Sequence, residues 1–261
     1  MDNNLLASLD GILKLDGLLR ISAKHNQISS LDFTESKLPR LEVLDAQQNC
    51  IGWVDGLDDL PSLMSLHLDD NNITALQPKA PLRSLRTLKL CRNELEAFDA
   101  KFFPDLRTLY LDQNSIAVFQ GVRKLRFLEN FSARSQRGKA SLSTHSLSEL
   151  RKLYLSGTTL IAQQLMAGNA IPVRLDRPFY NLQYLELAAV KLAVLPANFG
   201  SKLPNLRILN LSYNSLKDIT PLRGMALLKR VFLIGNRISS LSEGTTDTLL
   251  SLPELQVLDL R

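Results

Sequence analysis

Apolar residues recur along this chain in one frame, L-x-x-L-x-L-x-x-N-x-L, with polar residues filling the gaps. Residues 41–51, 63–73, 85–95, 106–116, 150–160, 182–192, 206–216 and 228–238 each occupy the frame. Residues 18–28 are an earlier copy with Ala23 at one core position, 128–138 a degraded copy, and 255–261 a copy that stops mid-repeat. At the front, Asn4, Leu6 and Leu9 match Asn26, Ile28 and Leu31. One match to so loose a pattern says little; about eleven in a single frame are the mark of a repeat architecture.

The pattern predicts an α/β solenoid, a leucine-rich-repeat horseshoe of about eleven coils of the 22-residue type. A parallel sheet would line its concave side, with turns and short helices on the convex side. The expected organisation is one domain, 1–261, that starts and stops mid-repeat as the middle of a longer scaffold, with an insertion around 161–181. Around L-x-L the chain should form a short strand whose side chains alternate between faces. The leucines point inward, and no coil can bury them without its neighbours. The asparagine stands where the chain turns away from the strand. Its amide can donate to and accept from the backbone of adjacent turns, and so build a ladder.

The ladder positions are Asn26, Asn49, Asn71, Asn93, Asn114, Gln136, Thr158, Val190, Asn214 and Asn236, in steps of 23, 22, 22, 21, 22, 22, 32, 24 and 22 residues. Gln136, Thr158 and Val190 depart from Asn consecutively, so the ladder is expected to fail there. That stretch also holds the degraded copy and the long step. It suggests either tolerated drift or a bend or partner-specific edge at repeats six to eight.

Composition narrows the function. The chain of 261 residues is 45% apolar and 22% charged, that of a globular protein. No run approaches the ~18 uncharged apolar residues that a membrane helix needs. The N-terminus lacks a basic segment followed by an apolar core, so no secretory signal is expected. The two cysteines, Cys50 and Cys91, are too few for a disulfide framework or a zinc site. They lie two coils apart, and Cys91 is expected on the exposed side of its strand; both should be reduced thiols. Of the three histidines only His67 sits in an ordered strand column. Ser22, Asp45 and His67 occupy successive strands, but with Asp between Ser and His the base cannot reach a nucleophile. No phosphate loop, dinucleotide fingerprint or metal-ligand spacing occurs. No catalytic residue, metal or cofactor is therefore expected.

The exposed faces point to binding. The outward strand column reads Ser22, Asp45, His67, Lys89, Tyr110, Ser132, Tyr154, Glu186, Asn210, Phe232 and Asp259. Arg134, Lys152 and Tyr184 flank it. Tyrosine beside arginine is the composition favoured at binding hot spots. Lys89, Tyr110, Arg134, Lys152, Tyr154, Tyr184, Glu186, Asn210 and Phe232 are the candidate partner-binding residues. Trp53, the one tryptophan, is added because its frame position points it outward. Charge is segregated: residues 41–78 carry seven acids and no Lys or Arg, whereas 79–152 carry fifteen basic residues and seven acids. Such fields steer and orient partners. The runner-up is nucleic acid along the basic column Arg86, Arg107, Arg151, Arg207 and Lys229. The net charge of only +5 and the acidic block beside it argue against that partner.

Several segments resemble a known family. Residues 56–76, 82–99, 103–116 and 128–139 are similar to the leucine-rich-repeat domain of the fungal septation-initiation or mitotic-exit network scaffold, which is centriolin-like. The distinctive parts are the degraded FSARSQRGK run (131–139) and the insertion after Leu160. The resemblance implies a non-enzymatic, cytoplasmic scaffold at the spindle pole body. It would gather a small GTPase, its GTPase-activating (GAP) complex and kinases, and dock to other spindle-pole components. The alternative is the regulatory subunit of a phosphatase-type or RNA-processing complex, binding protein or RNA through the basic concave face. Phosphorylation in the SLSTHSLS run (141–148) is a candidate control.

Overall fold

The computed structural model describes residues 1–137, 147–158, 178–239 and 243–261. They group into two compact units, the first built from 1–128 with 136–137, the second from 129–135 and the described residues from 147 onward. In the first unit the strands are β1 (Arg20–Ser22), β2 (Ser30–Asp32), β3 (Val43–Asp45), β4 (Trp53–Asp55), β5 (Ser65–His67), β6 (Thr87–Lys89), β7 (Ala97–Asp99), β8 (Thr108–Tyr110) and β9 (Val118–Gln120). Strands β1, β3, β5, β6 and β8 form a parallel sheet, each pairing with the next in unbroken register. Two parallel ribbons, β2 with β4 and β7 with β9, lie further along the coils. In the second unit β10 (Asn130–Ser132), β11 (Lys152–Tyr154), β12 (Tyr184–Glu186), β13 (Ile208–Asn210), β14 (Arg230–Phe232) and β15 (Val257–Asp259) pair in sequence, again parallel. Every copy of the frame thus contributes one three-residue strand. The return path holds 3-10 turns such as Leu57–Asp59 and, in the second unit, the helices α1 (Phe199–Lys202) and α2 (Glu243–Leu250).

Alternation decides what each strand buries. The middle residue of each of these frame strands from β1 to β14, Ile21, Leu44, Leu66, Leu88 and Leu109, then Phe131, Leu153, Leu185, Leu209 and Val231, is at most 4% exposed. Two residues on, Ala23, Ala46, Leu68, Leu90 and Leu111 are fully buried in the first unit, and Ala133, Leu155, Leu187 and Leu211 in the second. Each buried leucine contributes ~1.5–3 kcal/mol, and only because the coil on either side covers it.

The asparagine positions stitch the coils through their backbones. In Asn71, Nδ2 donates to Ala46 O of the preceding coil (3.0 Å) and to Leu68 O of its own coil (3.1 Å), while Oδ1 accepts from Ile51 N–H (2.9 Å). Asn49, Asn93 and Asn114 repeat this pattern in the first unit, and Asn214 and Asn236 in the second. Where Asn is lost the links thin by degrees rather than failing together, which corrects the expectation of a common failure. Gln136 still donates to Leu111 O (2.7 Å) and accepts from Ile116 N–H (3.2 Å), because its longer side chain spans the same gap. Thr158 keeps one donation, to Ala133 O (2.5 Å). Val190 has no polar side chain, and its N–H turns instead to Asn214 Oδ1 (3.1 Å).

Two features are not legible in the repeat pattern. The residue before each ladder position is left-handed, with φ between 50° and 57° at His25, Gln48, Asp70, Arg92, Gln113, Ser135, Ala189 and Tyr213 and positive φ at Gly157 and Gly235. Most are not glycine, so no glycine pattern announces the turn; it recurs even at Ala189, before Val190, whose side chain makes no ladder bond. A second, exposed ladder also runs along the coil edge. Ser62 Oγ donates to Pro39 O (2.7 Å), Ser84 Oγ to Pro61 O (2.6 Å) and Asn205 Nδ2 to Tyr180 O (2.8 Å). Replacing Asn71 by Ala should cost about 2–4 kcal/mol, because it strands a buried N–H and buried carbonyls; Thr158→Ala should cost about 1 kcal/mol. Chemical denaturation of the two variants measures the difference, and equal costs would mean that the ladder does not carry the coils.

Candidate functional site

On the outer face of the second unit four candidate residues meet in one cluster. Arg134 follows β10, Tyr154 ends β11, and Tyr184 and Glu186 open and close β12. The register sets Tyr154 beside Glu186 and Lys152 beside Tyr184. The Arg134 guanidinium lies over the Tyr154 ring, 4.3 Å from its centroid, and reaches past it to Glu186. There Nε donates to Oε1 (2.7 Å) and Nη2 to Oε2 (3.0 Å). The Tyr184 hydroxyl donates to Glu186 Oε2 (3.0 Å), and the two tyrosine rings sit 4.7 Å apart. One arginine thus spans two strand steps and clamps three successive coils by a bidentate pair and a stacked ring.

The electrostatics follow from half-burial. Burial alone pushes the Glu186 carboxyl up, but the bonds from Arg134, Ser156 and Tyr184 and the guanidinium charge outweigh it, leaving Glu186 below its ordinary value. The Tyr184 phenol is pushed up to about 12 by burial and by the neighbouring Glu186 charge. Ser156 joins the cluster although the sequence pattern did not single it out; its Oγ also accepts Ala188 N–H (3.0 Å). Its one signal is a small polar residue one coil after Arg134 in the same column. With the carboxylate fully engaged, the cluster has no free acid or nucleophile. What it presents is two fixed, half-buried aromatic rings. Lys152 lies exposed beside them, with the half-buried Asn210 and Phe232 on the next strands.

In the first unit Lys89 and Tyr110 stand side by side in register, both half-buried. The earlier strands of the same column are ion-paired. Asp45 meets Lys24 (2.8 Å) and His67 Nδ1 (3.5 Å). Burial and the Lys89 charge lower the His67 imidazole, with Asp45 opposing them. Ser22 donates to Asp2 (2.7 Å), not to His67. Cys91 is 8% exposed, which corrects the expectation of an exposed thiol. Its N–H donates to Asp69 Oδ1 (2.7 Å), drawing it under the strand face. Burial, with the charges of Asp69 and Asp112, pushes the thiol up to about 12. Cys50 is exposed and both thiols are free. Trp53 is 51% exposed on β4, on the β2–β4 ribbon rather than on the main sheet that carries Lys89 and Tyr110. The insertion at 161–181 and the SLSTHSLS run lie almost wholly outside the described residues. Among the described residues no helix is long and apolar enough to cross a membrane, and no group of three His, Cys, Asp or Glu is arranged for a metal.

Residues 61–116 and 180–238 match the family model for the leucine-rich repeat. With the coils and ladder described above, the chain has the fold of the leucine-rich-repeat proteins. Among these it is similar to the septation initiation network scaffold protein cdc11 of Schizosaccharomyces pombe, with 39% identity over 238 residues that cover 91% of this chain and 22% of that protein. The chain therefore spans about a fifth of that relative's length. Leucine-rich repeat-containing G-protein coupled receptor 5 of Rattus norvegicus is 34% identical over 112 residues, 42% of this chain and 11% of the receptor. A chain of the solved octameric complex of Latrophilin 3, Unc5D and FLRT2 superposes with a TM-score of 0.72 at 24% identity, covering 94% of this chain and 77% of that one. That last likeness shows the fold.

The clamp predicts a pH signature with two sides. Glu186 is lowered in the fold, so the stability that it contributes is present above its unfolded value and is lost as pH falls through the folded one. Tyr184 is raised from about 10 to about 12, so keeping it protonated stabilises the fold below about pH 10, and that is lost as pH rises toward 12. In a phenol absorbance titration Tyr184→Phe should remove the highest step, and Glu186→Gln should lower it. A Tyr184 that titrates with the other tyrosines would contradict the clamp.

Proposed function

We propose that this chain is the protein-binding module of a non-enzymatic scaffold for septation or mitotic-exit signalling, acting at the spindle pole body in the cytoplasm. The observation that carries the binding face is the Arg134–Tyr154–Tyr184–Glu186 clamp. It fixes two large amphipathic rings before any partner arrives, so little side-chain freedom is lost on binding. Lys152, Asn210 and Phe232 extend that face, and Lys89 and Tyr110 offer a second aromatic–cation pair in the first unit. The similarity to cdc11 along 91% of the chain supports the scaffold reading and the choice of network. In that role the chain tethers a small GTPase, its GAP complex or kinases, or docks to spindle-pole components.

The test is a pair of variants in cells, Tyr154→Ala with Phe232→Ala, and Lys89→Glu with Lys152→Glu. Each should keep its circular dichroism spectrum yet lose network proteins from affinity purification and weaken the tagged protein's spindle-pole signal severalfold. Capture of the same network proteins as wild type by both folded variants would refute the face.

A further inference from the structure

The ribbon β2–β4 of the first unit presents a surface whose chemistry differs from that of the aromatic clamp. Leu31 points inward at 2% exposure and Val54 shares its side of the ribbon, so the alternation turns Ser30, Asp32, Trp53 and Asp55 to the other side. Trp53 is opposite Ser30 in register, and Ala75 holds the same frame position one coil on. Both neighbours are small, and half of the tryptophan surface is open to solvent. Asp32 is exposed, and bonds from the Thr34 backbone and hydroxyl hold it below the usual carboxylate range, so it is charged. It stands opposite Asp55, whose side chain is 45% exposed. The cation that meets the pair is Lys79, whose ammonium reaches only to 3.8 Å of Asp55 and whose side chain is 67% exposed. The β4 strand belongs to a stretch, 41–78, that has seven acids and no Lys or Arg.

We propose that the Trp53 face binds an arginine-bearing segment of a partner protein, one guanidinium stacked on the indole and ion-paired to Asp55 or Asp32. The geometry favours this occupant. Residues two apart on a strand are about 7 Å apart, and neighbouring strands about 4.8 Å, so one planar cation on the ring is within reach of both carboxylates. Arginine stacks and forks, whereas lysine offers a hydrated point charge. The acidic field would repel a nucleic acid or an anionic membrane and draw a basic segment in.

Trp53 is the one tryptophan, so its emission reports this site alone. Titration with a hexa-arginine peptide should change that emission saturably, and hexaglutamate should not. By anisotropy of a fluorescein-labelled hexa-arginine, Trp53→Ala should weaken binding roughly fivefold or more. Asp32→Asn with Asp55→Asn, which keeps the turn acceptors, should weaken it several-fold. Lys79→Ala should tighten it about twofold by freeing Asp55. Circular dichroism checks that each variant is folded. The proposal is overturned if emission does not change, if folded Trp53→Ala binds as wild type, or if hexalysine binds as tightly as hexa-arginine. None of these outcomes bears on the Tyr154–Tyr184 face, which has its own variants.

Discussion

In this fold no coil can satisfy its own backbone or cover its own leucines. At each turn away from the strand, buried carbonyls of two successive coils and a buried N–H need partners, and the packed core keeps water from them. The asparagine amide supplies all of these from one side chain: Asn71 joins Ala46 O, Leu68 O and Ile51 N–H. The buried leucine rows and the left-handed residue accompany that turn in every coil, including the one that carries Val190. Stability accumulates between neighbours, not within a coil. A single lost link is felt locally and leaves distant coils intact.

Where the asparagines give way, a different device holds the coils. The Thr158 hydroxyl still reaches Ala133 O, whereas the Val190 side chain has no polar group and only its N–H reaches the next coil, at Asn214 Oδ1. On the outer face of the same coils, Arg134 crosses the Tyr154 ring to grip Glu186, with Tyr184 and Ser156 completing the carboxylate's bonds. The clamp is both a structural replacement for the thinned ladder and a source of rigid aromatic surface. One arrangement serves both ends, because stacking and bidentate pairing restrict rotamers whether or not a partner is bound. The likeness to a septation network scaffold along most of the chain fits a surface built for holding proteins.

The two candidate surfaces differ in chemistry. The clamp face offers neutralised aromatic area edged by Lys152. The Trp53 ribbon offers one open ring in a field of carboxylates. The two proposed faces would therefore select segments of unlike charge.

The β2–β4 and β7–β9 ribbons were not legible in the order of residues, whereas the coil count, the strands of the L-x-L frame, the inward leucines and the asparagine frame were. They obey a period that repeats whatever surrounds it, and side-chain alternation follows from strand geometry alone. The same reading marked Trp53 as outward and the stretch 128–190 as irregular. Contacts between coils settled the remainder. Gln136 rejoins the ladder because its extra methylene spans the gap, and Cys91 is buried because its backbone is drawn to Asp69. Arg134 finds Glu186, 52 residues on, because two strand steps bring them within bonding distance. Trp53 stands on the β2–β4 ribbon, off the sheet that carries Lys89 and Tyr110. In each case the deciding contact is made between coils, across distances that the repeat sets but that no single repeat contains.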